Sequence, residues 1–468
     1  MAQPVDSIVT RWTRRFLAAQ LVGLLVAAVA MGARWDRGEI TPVTVPPGLV
    51  ILLVAAALLI MFRRAPAVLV AIISAGFIAS QQFSPSVSGT GSLTWWILLS
   101  GLVLALCAGI GALIAIGVGR RHGAGRRIAW VRGAQVIGLL LLAPICAEYL
   151  AAYDDSTGDP LQLMANLFVF VPLYGCAALL IREVARRARL GWPGIVLLAA
   201  AVGLLQAGVI DQSLFSVDYR QIDGWDEAFR ATLIAPLGLS AVNLANFVGG
   251  HVIFSLCGPI ALIEAARPRC ATTPWLGWRG LVLTAAAYVG ASVMVLTFHL
   301  RTEESHASPA QVIVSLVVVL ALVVAAVGLA RRRPPARSPR PAPRLWITFG
   351  AALVASLVHA FAPETWLGVA LVAAVFAVSV VTIAHVSRTT GWGVRHVAAI
   401  AAAPLLVRAV SAFTYYPLIG EVSASAKYAH NAVLLAVILA VTVLALRRPT
   451  NAPESGRSGR VLAAESTG

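Results

Sequence analysis

Between residues 143 and 264 the sequence sets carboxylates, amides and a histidine inside otherwise apolar runs. AEYLAAY carries Glu148, and LLIREVARR carries Arg182, Glu183 and Arg187. GLLQAGVIDQS carries Gln206, Asp211 and Gln212, and AVNLANFVGGHVIFS carries Asn243, Asn246 and His251, with Glu264 following. Carboxylates and imidazole are the side chains that exchange protons near neutral pH. Amides either bind polar ligands or hydrogen-bond neighbouring helices. An ionisable group in hydrocarbon costs on the order of 3 kcal/mol, so several in one stretch point to a site. A second place stands apart: Arg408, in VRHVAAIAAAPLLVRAVSAFTYY, follows Pro404 by one turn and precedes Tyr415 and Tyr416. It could bind an anion or carboxylate, or snorkel outward along its own helix.

The elements that must position these residues are long apolar helices. Of the 468 residues, 59% are hydrophobic and 12% charged, and the mean hydropathy is +0.84. Soluble domains carry about a quarter charged residues, which excludes an ordinary water-soluble protein. Apolar runs near twenty residues recur throughout, each long enough to cross a bilayer. The expected fold is all-α: a polytopic transmembrane helix bundle of about fourteen spans with both termini cytoplasmic. Spans are expected near Phe16–Gly32, Gly48–Phe62, Ala65–Gln82, Thr94–Val118, Ala129–Ala151, Leu163–Ile181, Pro193–Gln212, Ala235–Ile263, Gly280–His299, Pro309–Ala330, Leu345–Phe361, Trp366–Val386, Val394–Tyr415 and Asn431–Leu446.

Charge gives the orientation. The net charge of +16 rests on 36 basic residues, all arginine except Lys427. With alternate loops assigned to alternate sides, 29 of the 36 fall inside, six outside, and Arg408 within a span. Positively charged loops face the cytoplasm. Acidic residues show the converse, with Asp154, Asp155, Asp159, Asp218, Asp223, Asp226 and Glu227 outside. This pattern explains the basic balance without nucleic acid, for which no motif is present. Arg11–Arg15 before the first span, with Ala28-Val29-Ala30 near its end, resembles a signal peptide, but an uncleaved anchor is the expectation. The five cysteines form no C-x-x-C pair, so neither a disulfide framework nor a zinc site is suggested. No cofactor and no metal is implied.

Composition divides the chain into residues 1–128, a four-span apolar scaffold, and residues 129–266, a four-span polar module holding the candidate site. Residues 267–330 supply two further spans, 331–344 a cytoplasmic Pro/Arg linker, 345–446 four C-terminal spans, and 447–468 a disordered cytoplasmic tail.

Within the polar module, a rise of about 1.5 Å per residue puts Glu148 and Asp211 near the outer helix ends. Gln206, Asn243 and Asn246 lie deeper and His251 deeper still, with Arg182 and Glu183 at the inner end. Steps of about 100° place Asn243, Asn246 and His251 on one arc of the eighth helix, beside Gly249 and Gly250, which permit a local break. Each residue also has a plainer role to weigh: wet interface for Glu148 and Asp211, interhelical bonding for Asn243 and Asn246, core packing for His251, and local ion pairs for Arg182, Glu183 and Glu264.

The stretch from Ala143 to Ser255 resembles the CPBP/Abi family of intramembrane proteins, which includes CAAX-type proteases. That family carries E-E-x-x-x-R, F-x-x-x-H and H-x-x-x-N on successive helices. Here Arg182-Glu183-Val-Ala-Arg-Arg187, Val202-Gly-Leu-Leu-Gln206 and His251-Val-Ile-Phe-Ser255 stand in those places. Arg182, Gln206 and Ser255 replace a Glu, a His and an Asn of the motif. The resemblance implies proteolysis with Glu183 as base and His251 as donor, or a non-catalytic relative acting as a membrane scaffold or immunity-type partner.

The favoured expectation is a small-molecule transporter or permease with an intramembrane polar cavity between spans five and eight. Glu148, Gln206, Asp211, Asn243, Asn246 and Arg408 would bind substrate, with Glu148 and Asp211 able to couple protons. Whether the chain is an enzyme stays open. A lipid-linked glycosyltransferase would use first-loop acids such as Asp36 and Glu39, in a loop too short for the usual elements. The expected surroundings are a lipid bilayer, an unidentified small molecule or membrane protein partner, and no nucleic acid. The Arg- and Ala-rich, nearly Lys-free composition suggests the plasma membrane of a high-GC bacterium.

Overall fold

The structure is a computed structural model that describes residues 5–36, 47–62, 65–81, 93–119, 124–330 and 338–447. Residues 331–337 of the Pro/Arg segment, the tail from 448, Glu39, and the arginine pairs at 63–64 and 120–121 lie outside the described residues. The described chain is almost wholly helical. Its long helices are α1 (Val5–Asp36), α2 (Pro47–Phe62), α3 (Ala65–Gln81), α4 (Leu93–Gly119), α5 (Ala124–Ala147), α6 (Pro160–Arg187) and α7 (Gly191–Ile210). They continue as α8 (Ala241–Ala266), α9 (Trp278–Thr302), α10 (Pro309–Ala330), α11 (Leu345–Ala360), α12 (Trp366–Val386), α13 (Val394–Ser411) and α14 (Ala424–Leu446).

Among the described residues, nine of these helices are long and apolar enough to cross a membrane, and the apolar stretches Ile97–Ile110, Arg132–Ala147 and Leu345–Ala360 are shorter. The chain is therefore a multi-pass membrane protein. Its lipid-compatible surface shows directly on α9, α10 and α12, where Val289, Phe298, Val317, Leu320, Val380 and Val381 are exposed. Trp278, Trp346 and Trp366 are exposed at helix ends, where indole rings suit a membrane–water boundary.

Two large cores are present among the described residues, with a small third cluster around Leu204, Ala207, Leu214 and Leu239. The first lies among α1–α4, around Leu24, Leu52, Val68, Leu98 and Leu102. Small residues make it possible, because hydrocarbon gives helices no solvophobic reason to associate and close backbone packing must supply the attraction. A Cβ at Gly101 would lie 2.8 Å from the Ala27 nitrogen and 2.9 Å from the Gly23 oxygen, so α1 and α4 touch backbone to backbone. The second and larger core runs from Leu139 to Ala445. At its centre stands α8, whose second half packs on α5, α13 and α14, while α7 packs on α8 and α10.

Local chemistry sets several helix ends. Asp159 caps α6, its Oδ1 accepting from the N–H groups of Leu161 at 2.8 Å and Gln162 at 3.1 Å, and Pro160 fills the first turn. Ser240 caps α8 and Ser423 caps α14 in the same manner. The strands are short: β1 (Leu233–Ile234) pairs antiparallel with β2 (Leu239–Ser240), and β3 (Ser338–Pro341) pairs parallel with β4 (Thr389–Thr390).

Candidate functional site

Helix α5 carries Pro144 in its interior and ends at Ala147. The chain then makes one tight turn over Tyr149–Ala151 and reverses at Ala152, whose φ is 50°. Glu148 is thus held at the break between helix and turn, half-buried. Its Oε2 accepts from the Tyr153 hydroxyl at 2.6 Å, and Tyr174 of α6 stands near it. The Tyr174 ring stacks on His251 of α8, with centroids 5.8 Å apart and planes 29° apart. His251 Nδ1 lies 3.3 Å from the Ser255 hydroxyl on the next turn. From α7, Gln206 Nε2 donates to Asp211 Oδ2 at 3.0 Å, and the Ser213 N–H donates to Asp211 Oδ1 at 3.0 Å.

A small cavity, about the size of one water molecule, joins these elements. Tyr174, Gln206 and His251 supply its polar wall, and Leu173, Val202 and Leu256 the apolar one. Gly203 makes the approach possible: a Cβ there would meet the His251 Cβ at 3.0 Å and the Val248 oxygen at 3.2 Å.

All three helices abandon regular bonding where they line this site. α6 is π-helical over Val171–Gly175, α7 over Gln206–Ile210, and α8 over Leu244–Gly249 and His251–Cys257. The bonds show the wider turn, with Cys176 N–H reaching the Val171 oxygen, Asp211 N–H the Gln206 oxygen, and Gly258 N–H the Ile253 oxygen. Two causes are prolines. Pro172 and Pro259 lack the N–H that would satisfy the carbonyls four residues earlier, so the neighbouring N–H groups shift partner. Such turns are rare and gather at functional sites. They also break the 100° step, and Asn243 and Asn246 end up in different surroundings. Asn243 is buried with no partner for its Nδ2 among the described residues, whereas Asn246 is exposed.

The C-terminal helices supply a cation to the same region. Arg408 of α13 sets its guanidinium over the Phe254 ring of α8, 4.4 Å from the centroid. Its Nε is buried without a hydrogen-bond partner among the described residues. Its charge acts on Glu148, His251 and His359. Over the Asp211 end lies an aromatic cluster of Tyr219, Trp225 and Phe247, with centroids 5.2–5.9 Å apart. Burial, with Asp211 nearby, pushes the Tyr219 hydroxyl above the usual phenol range, so it stays neutral.

Glu183 belongs to a different constellation, at the arginine-rich end. Arg182, fully buried, donates through Nη1 to Glu183 at 2.6 Å and through Nε to Glu264 at 3.1 Å. Its Nη2 donates to the carbonyls of Cys270, Ala271 and Thr273. Glu183 also accepts from Arg187 and from the N–H groups of Trp275 at 2.7 Å and Leu276 at 3.2 Å. Arg186 holds both oxygens of Glu264. Every acid here is occupied by donors, which leaves Glu183 no lone pair directed at a water.

The structure therefore brings together Glu148, Gln206, Asp211, His251 and Arg408, and sets Glu183, buried Asn243 and exposed Asn246 apart from them. Sequence reading passed over Tyr153, Tyr174 and Phe254 as parts of the site. Only Tyr153 offered a signal, five residues beyond Glu148. Tyr174 and Phe254 look like lipid-compatible aromatics until the helices are packed. Among the described residues, no group of three or more His, Cys, Asp or Glu side chains could hold a metal ion.

No curated protein and no solved structure matches the chain. A family model does match, over residues 137–419, which includes α6–α13 and Glu148, Gln206, Asp211, His251 and Arg408. It is not that of the CPBP/Abi family, and the resemblance drawn from residues 143–255 is corrected accordingly. The physical reason is visible in the first motif, where Arg182 ion-pairs with Glu183 in place of a second carboxylate. With well over half of its length matched, the chain belongs to an uncharacterized membrane protein family.

Proposed function

We propose that this protein is a small-molecule transporter whose substrate pathway runs through the Glu148–Asp211–His251–Arg408 region. The observation that supports this reading is the gathering of two carboxylates, an imidazole and a guanidinium around helices α6–α8, which are π-helical at Val171–Gly175, Gln206–Ile210, Leu244–Gly249 and His251–Cys257. Side chains of this kind inside a membrane protein mark ion and proton pathways. Helices with irregular turns at a polar site can reorganise there at low cost, because their bonding is already divided between two registers.

In this reading Glu148 and Asp211 exchange protons, and their neutral donors Tyr153 and Gln206 hold them ready in either charge state. The buried network around Arg182, Glu183 and Glu264 is the closed end of the pathway. Fourteen spans with cytoplasmic termini, in the plasma membrane of a high-GC bacterium, complete the proposal; helices shorter than the roughly 30 Å hydrocarbon core are accommodated by local thinning.

The experiment is two-sided labelling of a single cysteine at Ser255, with Cys107, Cys146, Cys176, Cys257 and Cys270 replaced. Impermeant thiol reagents are applied to right-side-out and to inverted vesicles. Labelling from both faces is expected. Labelling from one face only, or from neither, overturns the transport reading, and the latter leaves these helices a structural role.

A further inference from the structure

Among the described residues Arg408 has no acceptor, and the acids of the same region, Glu148 and Asp211, already hold other donors. Glu148 is held by Tyr153, and Asp211 by Gln206 and Ser213. No carboxylate lies within ion-pair distance of Arg408 among the described residues. The guanidinium does not snorkel free: its Nε is buried, and its plane is supported by Phe254 on a neighbouring helix. Arg408 is half-buried with its Nε wholly enclosed, and a charge so placed without a partner is costly, which suits a group kept for an arriving anion.

The surroundings describe what arrives. His359 of α11 feels the Arg408 charge and presents a buried Nδ1 with no partner among the described residues. Its ring packs against Phe376 of α12, centroids 5.5 Å apart. Phe376 in turn faces Gly249 of α8, where a Cβ would sit 3.6 Å from the ring edge. Two nitrogen-bearing groups thus stand beside two aromatic rings and a bare stretch of backbone. A guanidinium suits a planar carboxylate, which it can bind through two parallel N–H bonds. The aromatic walls suit an apolar organic remainder. A single guanidinium with one imidazole matches one negative charge better than a dianion or a phosphate.

We propose that Arg408 and His359 bind the carboxylate of a small organic monoacid between α8 and helices α11–α13. The C-terminal helices thereby complete the site and set its substrate class. The transport reading is needed only for movement of the bound acid across the membrane; the binding itself is separable.

The test uses the purified full-length protein in nanodiscs, with benzoate and lactate as probes and chloride as the inorganic competitor, read by isothermal calorimetry. Saturable binding of at least one carboxylate is expected. Arg408→Gln and Arg408→Lys should each weaken it about ten- to a hundredfold, the worth of a hydrogen bond to a charged group. The lysine variant keeps the charge and loses only the fork, and size-exclusion profiles matching the parent establish that it folds. His359→Gln should weaken binding by less. Absence of carboxylate binding, binding unchanged in Arg408→Lys, or displacement by chloride at equal concentration would overturn the proposal. Labelling at position 255 separates the two ideas. Two-sided access without carboxylate binding sinks this inference alone, and binding with one-sided access sinks transport alone.

Discussion

The Arg182 guanidinium lies 3.6 Å from the centroid of the Trp275 ring and stacks on it. The same arginine donates to three carbonyls between residues 270 and 273, so one side chain of α6 fastens the whole segment leading into α9. Glu183 grips that segment from the other side through the Trp275 and Leu276 N–H groups.

Arg182→Met should therefore be among the most damaging single changes outside the candidate site. It takes one charged donor from each of the buried Glu183 and Glu264 and leaves the carbonyls of Cys270, Ala271 and Thr273 without the guanidinium, a loss of about 3 kcal/mol. Arg182→Lys should rescue little, because an ammonium cannot reach two carboxylates and three carbonyls at once. Thermal unfolding of the detergent-solubilised variants decides it; a melting temperature equal to that of the parent would refute the clamp.

Gly203→Val should close the site. The added side chain meets the His251 Cβ and the Val248 carbonyl, and overpacking of this kind costs about 1–3 kcal/mol. The expected outcome is loss of thiol labelling at position 255 while the protein remains monodisperse. Undiminished labelling would mean that α7 and α8 separate easily at this point.

Gly101→Leu should part α1 from α4 without disturbing α5–α14, because the two groups of helices have separate cores. Spin labels on exposed positions Val29 and Val103 should report an increased separation. Carboxylate binding should be unaffected.

Lys427→Met should fray the end of α13. Lys427 is fully buried, donates to the Phe413 carbonyl at 3.4 Å, and sits 4.6 Å from the Tyr416 and Tyr428 ring centroids. Asn431 Nδ2 donates to the Ala412 carbonyl at 2.9 Å, so α14 satisfies the helix-end oxygens next to Arg408. Faster amide hydrogen exchange at residues 411–414, with about 1–2 kcal/mol lost, is the expected reading, the aromatic contacts being desolvated.

Asp211→Asn keeps the shape of the side chain and its Gln206 contact while removing the exchangeable proton. If the transport reading holds, proton movement driven by a carboxylate gradient in proteoliposomes stops, as followed with an internal pH dye. Normal proton flux would exclude Asp211 from coupling.

What the sequence determined alone is what depends on local composition. Apolar runs state that the chain crosses a membrane, because hydropathy sums over adjacent residues and needs no partner. The same locality made the polar stretch around Glu148, Gln206, Asp211 and His251 visible against its background. Pairing across the fold was not visible. The sequence shows Glu183 beside arginines, but not that Glu264, 82 residues from Arg182, completes a buried network with the 270–276 segment. A 100° step per residue cannot foresee π turns, since these arise where prolines and neighbouring helices redirect backbone bonds, and so Asn243 and Asn246 diverged. Arg408 read as an anion site or, more readily, as a chain snorkelling along its own helix. Only packing of α13 on α8 decided its surroundings, by burying Nε over Phe254 with no acceptor in reach among the described residues.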